Sequence, residues 1–100
     1  MKYQLQILEE VYEEIEEAAD YYFLQQPGLE MKLFRDWERA VLDILESPEG
    51  FQKQRKNFRQ ILLQNFPYII VYEILDSKII IYRFINAKKH PVKRYSKRKI

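Results

Sequence analysis

The chain of 100 residues contains no cysteine, two glycines and one histidine. Without cysteine there is no disulfide scaffold, no thiolate zinc site and no thiol nucleophile. That absence also fits a reducing cytosol. Gly28 and Gly50 cannot build a glycine-rich phosphate loop. His90 alone leaves no His/Cys cluster for a transition metal and no two-histidine mechanism. The only serines, Ser47, Ser77 and Ser96, fall in turns or in the C-terminal tail, so no Ser/His/Asp triad can be assembled. No metal and no cofactor is implied. No apolar run reaches the roughly 18 residues a membrane helix needs. The opening MKYQLQILEE turns acidic too early for a secretory signal. The expectation is a soluble, cytoplasmic protein with no membrane partner.

What is present is apolar mass and divided charge. Hydrophobic residues make up 47% and aromatics 15%, which argues against disorder. The length suits one domain over 1–100, with a basic tail from about 87. The net charge of +2 conceals a dipole. Residues 1–50 carry Lys2, Lys32, Arg35 and Arg39 against thirteen acids, a net of −9. Residues 51–100 carry thirteen bases against Glu73 and Asp76, a net of +11. Such asymmetry points to an anionic partner for the basic half, or to attraction between the halves.

Residues 3–8, YQLQIL, alternate and predict a short strand. The period then changes. Val11, Ile15, Ala18 and Tyr22 follow at spacings of four, three and four, widened by Tyr12, Ala19 and Phe23, which predicts an amphipathic helix. Pro27-Gly28 breaks it. Met31, Phe34, Trp37, Val41, Ile44 and Leu45 predict a second helix, antiparallel to the first, with Trp37 as core packing. Ser47-Pro48 ends it. FQKQRKN over 51–57 reads as a polar connection. Three strands follow: 58–63, 68–75 (YIIVYEIL) and 78–85 (KIIIYRFI), the last two joined by a two-residue turn at Asp76-Ser77. Both long strands are apolar on nearly every residue, so both faces should be covered. The helices can cover one; a partner or the tail is expected on the other. The fold class is α+β: an antiparallel β-sheet with an N-terminal helical hairpin on one face, in the order β-α-α-β-β-β.

Several segments resemble one family. EIEEAADYYFLQQPGLEMKLFRDWERAVLDILESPEGF is similar to the helical hairpin of the RelE/ParE toxin superfamily, with its acidic first helix, tyrosine pair and Pro-Gly turn. FRQILLQNFPYIIVYEILDSKIIIYRFINAKKHP resembles that superfamily's sheet, above all at Arg59, Phe66-Pro67-Tyr68 and Tyr72. The resemblance spans nearly the whole chain. It implies the toxin of a type II toxin–antitoxin (plasmid stabilisation) pair, held silent by a cognate antitoxin, with a homodimer as a further arrangement.

Two activities come with the resemblance. RelE-like members are ribosome-dependent mRNA interferases, which need cations around the scissile phosphate and a general base. ParE-like members bind DNA gyrase and inhibit growth. RelE-like chains carry an arginine after the tyrosine that opens the third strand, where Ile69 follows Tyr68 here. They carry bases on the preceding strand, where Gln60, Ile61 and Leu62 stand. They often have a histidine before two arginines, where Asn86 precedes Lys88 and Lys89. These departures move the reading away from the nuclease, and by its Arg59 and Phe66-Pro67-Tyr68 pattern the chain resembles the ParE branch more, with gyrase as expected target. The alternatives are an endoribonuclease acting on ribosome-bound mRNA, and an inactive relative that only binds antitoxin. In the nuclease reading Lys89 and Tyr95 are catalytic. In either reading Arg59, Lys88, Lys89, Arg94 and Tyr95 contact the target or nucleic acid. Tyr95 lies among the bases of the tail, as suits stacking beside phosphate contact. Alternation puts Arg59 on the face of Ile61 and Leu63. A salt bridge from Arg59 to an acid of the first helix is the preferred reading, and a target contact at the sheet's rim the other.

Overall fold

A computed structural model describes residues 3–89. Strand β1 (Gln4–Ile7) leads into helix α1 (Glu9–Gln25) and helix α2 (Leu29–Glu46). A single 3-10 turn (Pro48–Gly50) then leads to β2 (Lys53–Arg55), β3 (Phe58–Leu62), β4 (Tyr68–Leu75) and β5 (Lys78–Asn86). The strands form one sheet in the order β1-β5-β4-β3-β2. The α+β class and the helical hairpin on one face agree with the sequence reading. Two details differ. The sheet is mixed, because β1 runs parallel to β5, pairing Gln4 with Lys78 through Ile7 with Ile81. Alternation reveals a strand but not its partner's direction, and this pairing closes only after the whole intervening chain has returned to the first strand. The supposed polar connection also contains a strand. β2 pairs with β3 at Lys53–Arg59 and Arg55–Phe58. Its charged side chains suit an edge open to water.

The two helices meet the sheet through narrow stripes. α1 buries Val11, Ile15, Ala18 and Ala19. α2 buries Leu33, Asp36, Ala40 and Ile44. Tyr12, Phe23 and Met31, expected on these stripes, are exposed, as flanking positions are when only one arc of a helix touches the core. The break between the helices depends on Gly28, whose φ of 104° is in the left-handed region that side chains resist.

From the sheet, Tyr68, Ile70, Tyr72, Ile79, Ile81 and Phe84 face the helices. Ile81 and Phe84 share that face although three residues apart, because β5 carries a bulge. Val71 pairs with Arg83 and Tyr72 with Ile81, which leaves Tyr82 as the extra residue. Trp37 packs edge-on against Phe84 with ring centroids 5.6 Å apart, as core packing requires. The predicted hairpin turn is present: Leu75 pairs with Lys78 and Asp76 takes a φ of 56°, suited to a tight two-residue connection.

On the opposite face β3 and β4 present Phe58, Gln60, Leu62, Ile69, Val71 and Glu73, by alternation from the core-facing positions. Tyr82 joins them, its ring 5.3 Å from Phe58 and its hydroxyl donating to Glu73 Oε1 at 2.9 Å. Among the described residues no helix is long and apolar enough to cross a membrane.

Candidate functional site

A cleft of about 700 Å³ opens where α1 passes the end of β5. Glu14, Glu17, Tyr21 and Tyr22 line it from α1, and Pro67, Tyr68, Asn86, Lys88 and Lys89 from the sheet side. The β5 bulge helps to build it. Arg83, turned outward there, reaches back to α1, where its Nε donates to Glu14 Oε2 at 2.7 Å. The other oxygen of Glu14 accepts the Phe84 N–H at 2.7 Å. One carboxylate thus closes both a charge and a strand N–H that lies beyond the end of β1, whose last partner on β5 is Ile81.

Aromatic rings form the floor. Tyr68 stacks on Phe84 with centroids 4.6 Å apart and planes 7° from parallel. Tyr22 meets Phe66 edge-on at 4.8 Å and Tyr21 at 5.0 Å. Burial, then the neighbouring Tyr68, pushes the Tyr22 phenol up to about 12. Tyr22 is therefore a neutral hydrogen-bonding group at physiological pH, not a base. At the rim the Asn86 carbonyl accepts the N–H groups of Lys88 at 2.8 Å and Lys89 at 3.2 Å. This side-chain turn, together with the Ala87 N–H donating to Pro67 O at 2.7 Å, fixes the backbone that carries the two lysines. Both lysines are exposed and have no acid partner among the described residues.

Arg59 stands elsewhere. It pairs with Tyr72, four positions along β4 from Tyr68, or roughly 13 Å at the usual strand rise. The predicted salt bridge to an acid of α1 is not formed. Arg59 Nη1 donates instead to the carbonyl of Phe51 at 2.6 Å, with Glu49 O at a long 3.4 Å. The segment after α2 lies between Arg59 and the helices, and its backbone oxygens take the guanidinium. The acid of α1 that does cross to the sheet is Glu14, and its partner is Arg83. Beside Arg59, burial raises the Tyr72 phenol to about 12 against the lowering influence of the guanidinium, and its hydroxyl donates to Pro48 O at 2.7 Å. Arg59 and Tyr72 together tie the end of α2 to the sheet.

Of the expected contact residues, the structure brings Lys88 and Lys89 together and separates Arg59 from them. Arg94, Tyr95 and His90 lie outside the described residues. Among the described residues no three acidic or histidine side chains cluster as metal ligands. Asp36 was missed. It is buried, and its carboxylate accepts the N–H groups of Asn65 at 2.8 Å and Gln64 at 3.3 Å. Its signal was present: Leu33, Asp36, Ala40 and Ile44 repeat at three, four and four, so the aspartate falls on a buried stripe.

Neither a protein-family profile nor a curated protein matches the sequence. Solved structures do match. A chain of the chromosomal ParDE toxin–antitoxin system from P. aeruginosa superposes with a TM-score of 0.76 at 16% identity, over 85% of this chain and 96% of that one. The fold is that of the RelE/ParE toxins. The E. coli toxin RelE, in a double arginine-to-alanine variant in the free state, matches with a TM-score of 0.61 at 18% identity over 100% of this chain and 99% of that one. The isolated E. coli RelE toxin matches with 0.59 at 19% identity over 92% and 97%. At these identities the likeness is one of backbone. Within the RelE/ParE fold, the cleft described above lies between the first helix and the last strand.

Proposed function

We propose that the chain is the toxin of a type II toxin–antitoxin pair, neutralised by a cognate antitoxin, and that it arrests growth by gripping a protein target, with DNA gyrase as that target. The observation that carries this reading is the chemistry of the sheet face away from the helices. There β3 and β4 present Phe58, Gln60, Leu62, Ile69, Val71 and Glu73, and the cations of this face, Arg55, Lys78 and Arg83, stand on the neighbouring strands β2 and β5. Cleavage of a phosphodiester needs positive charge around the scissile phosphate and a base for the attacking hydroxyl. Of the two guanidiniums that the register puts on this face, Arg83 is engaged by Glu14 and Arg55 stands on the short edge strand, and the Tyr22 phenol stays protonated. Ile69 and Val71 at its centre are buried while Leu62 at its rim is 61% exposed, and an apolar rim of this kind suits adhesion to a protein surface better than hydrolysis. The larger TM-score against the ParDE chain agrees.

The test is direct. The protein induced alone should arrest bacterial growth, and co-expression of the neighbouring small reading frame should relieve the arrest. With purified gyrase it should trap cleaved plasmid DNA and leave ribosome-bound mRNA intact. Codon-positioned mRNA cuts that vanish on Lys89→Ala or Tyr95→Phe would establish the endoribonuclease reading instead. Free growth at high expression would leave a relative that only binds antitoxin.

A further inference from the structure

The first half of the chain holds four bases, and three of them stand together. Lys32, Arg35 and Arg39 are spaced by three and four residues, so they share one face of α2. All three are exposed. Like charges at these spacings cost rather than contribute helix stability, by a few tenths of a kcal/mol per pair. Thirteen acids share this half of the sequence, yet among the described residues none pairs with any of the three. The arrangement keeps its charge available.

The three cations also line a concavity. A groove of about 520 Å³ runs between α2 and the β3–β4 turn, bordered by Lys32, Arg35 and Arg39 on one side and by Gln64, Asn65 and Phe66 on the other. Asp36 holds the two walls together through the N–H groups of Gln64 and Asn65. Its carboxylate accepts neutral N–H groups and keeps its charge, and it also lines the groove, so the three cations there are offset by one acid and leave a net of +2. The side-chain amides of Gln64 and Asn65 are exposed and add donors opposite the guanidiniums. From Lys32 to Arg39 the helix rises roughly 10 Å, which lays the charges along a line rather than at a point.

We propose that this groove binds the phosphate backbone of single-stranded nucleic acid. The inference goes beyond the toxin reading and does not depend on it. A helical acidic peptide would need an apolar stripe to bury, and the groove offers only Leu29 and Phe66, at one end. A phosphate backbone needs none: regularly spaced cations and amide donors suffice, and arginine forks match phosphate oxygens two at a time. A flexible single strand can follow a concave groove of this kind, whereas a stiff duplex does not bend into one.

The experiment compares the full chain with a Lys32→Gln, Arg35→Gln, Arg39→Gln variant by fluorescence anisotropy on an oligothymidylate of about 12 nucleotides, within the usual single-strand site size. The basic tail is common to both proteins, so their difference isolates the groove. Three phosphate contacts on a single strand correspond to a log–log salt slope of about −2. The variant's slope should be shallower by about that amount. The parent's advantage should therefore shrink about 20-fold between roughly 50 and 200 mM salt. Arg39→Gln alone should account for about a third of the slope difference. No binding by the parent, or equal slopes in parent and variant, would overturn the proposal. So would a difference seen only with duplex DNA, or displacement of the oligonucleotide from the groove by polyglutamate at equal charge concentration, which would assign an acidic protein instead. All three substitutions are at exposed positions, and an unchanged melting temperature would exclude misfolding as the cause.

Discussion

Removing the Asp36 carboxylate tests whether one buried charge holds the β3–β4 turn against α2. The side chain is 5% exposed and is the only buried charged residue among those described. It accepts one good hydrogen bond, from Asn65 at 2.8 Å, and one long one, from Gln64 at 3.3 Å. A hydrogen bond to a charged group contributes about 1.5–3 kcal/mol, and the long one falls at or below the bottom of that range. In Asp36→Ala both N–H groups lose their partner. Gln64 and Asn65 are exposed, so water recovers part of the loss. Alanine returns roughly 0.5 kcal/mol through its better helix propensity. The net cost should be about 2 kcal/mol. For a domain of this size each kcal/mol moves the melting temperature by about 4–8 °C, so a drop of about 8–16 °C should be seen by circular dichroism. Asp36→Asn should cost about half as much. Its single carbonyl accepts one N–H while its amide faces the other donor. The urea m-value should be unchanged in both variants, since the surface exposed on unfolding is the same. A Tm within about 3 °C of the parent for Asp36→Ala, under ~1 kcal/mol by the same conversion, would refute the claim that this carboxylate anchors the turn.

Arg59→Ala should cost about 1.5–3 kcal/mol in urea unfolding, the worth of one charge-assisted bond to the Phe51 carbonyl. A loss of about 3–5 kcal/mol would instead match a broken buried ion pair and contradict the geometry. Tyr72→Phe should cost about 1–3 kcal/mol by leaving Pro48 O without its donor. The folded-state pKa of Tyr72 lies above the ordinary value of 10.0, so its contribution is complete below pH about 10 and is lost as pH rises toward about 12. Stability measured across that window should fall with pH, and less steeply in Tyr72→Phe; identical alkaline limbs would count against the burial of the phenol. Glu14→Gln removes a pair whose arginine side chain is 47% exposed, so its electrostatic cost should stay under about 1 kcal/mol in thermal melts, because the Gln carbonyl can still accept the Phe84 N–H.

Local chemistry made some elements readable. Pro27-Gly28 and Ser47-Pro48 bracket α2 because each denies the backbone a helical continuation. The β-branched runs of β4 and β5 could be read because both strands are central and buried, and the Asp76-Ser77 turn because only two residues separate them. β2 could not be read, since its three residues are polar and its strand state comes wholly from pairing with β3. The direction of β1 was equally hidden, being a property of the strand it meets. The same limit explains Arg59. Alternation correctly put it on the face of Ile61 and Leu63, but the backbone that intervenes there belongs to the 3-10 turn and Phe51. The cleft depends on the bulge at Tyr82, which appears in sequence only as an apolar run interrupted at Arg83. Lys88 and Lys89 were legible as charge, whereas their anchoring by Asn86 was not.

The charge division between the halves can now be judged from its pairings. If the two halves mainly neutralised one another, the acids of α1 and the bases of the sheet would meet in several ion pairs. Among the described residues they meet once, at Glu14 and Arg83. The other α1 acids, Glu9, Glu10, Glu13, Glu16, Glu17 and Asp20, are all exposed. Arg59 is satisfied by carbonyls, which leave its charge in place. Opposite fields therefore persist on different parts of the surface. Fields of this kind accelerate encounter with a complementary partner and are screened within about 10 Å at 0.1 M salt. An antitoxin that docks through the basic half should thus associate more slowly as salt rises, with its dissociation rate changing far less. A salt-independent association rate would mean that the charges, though unpaired in contact, cancel at the distance from which a partner approaches.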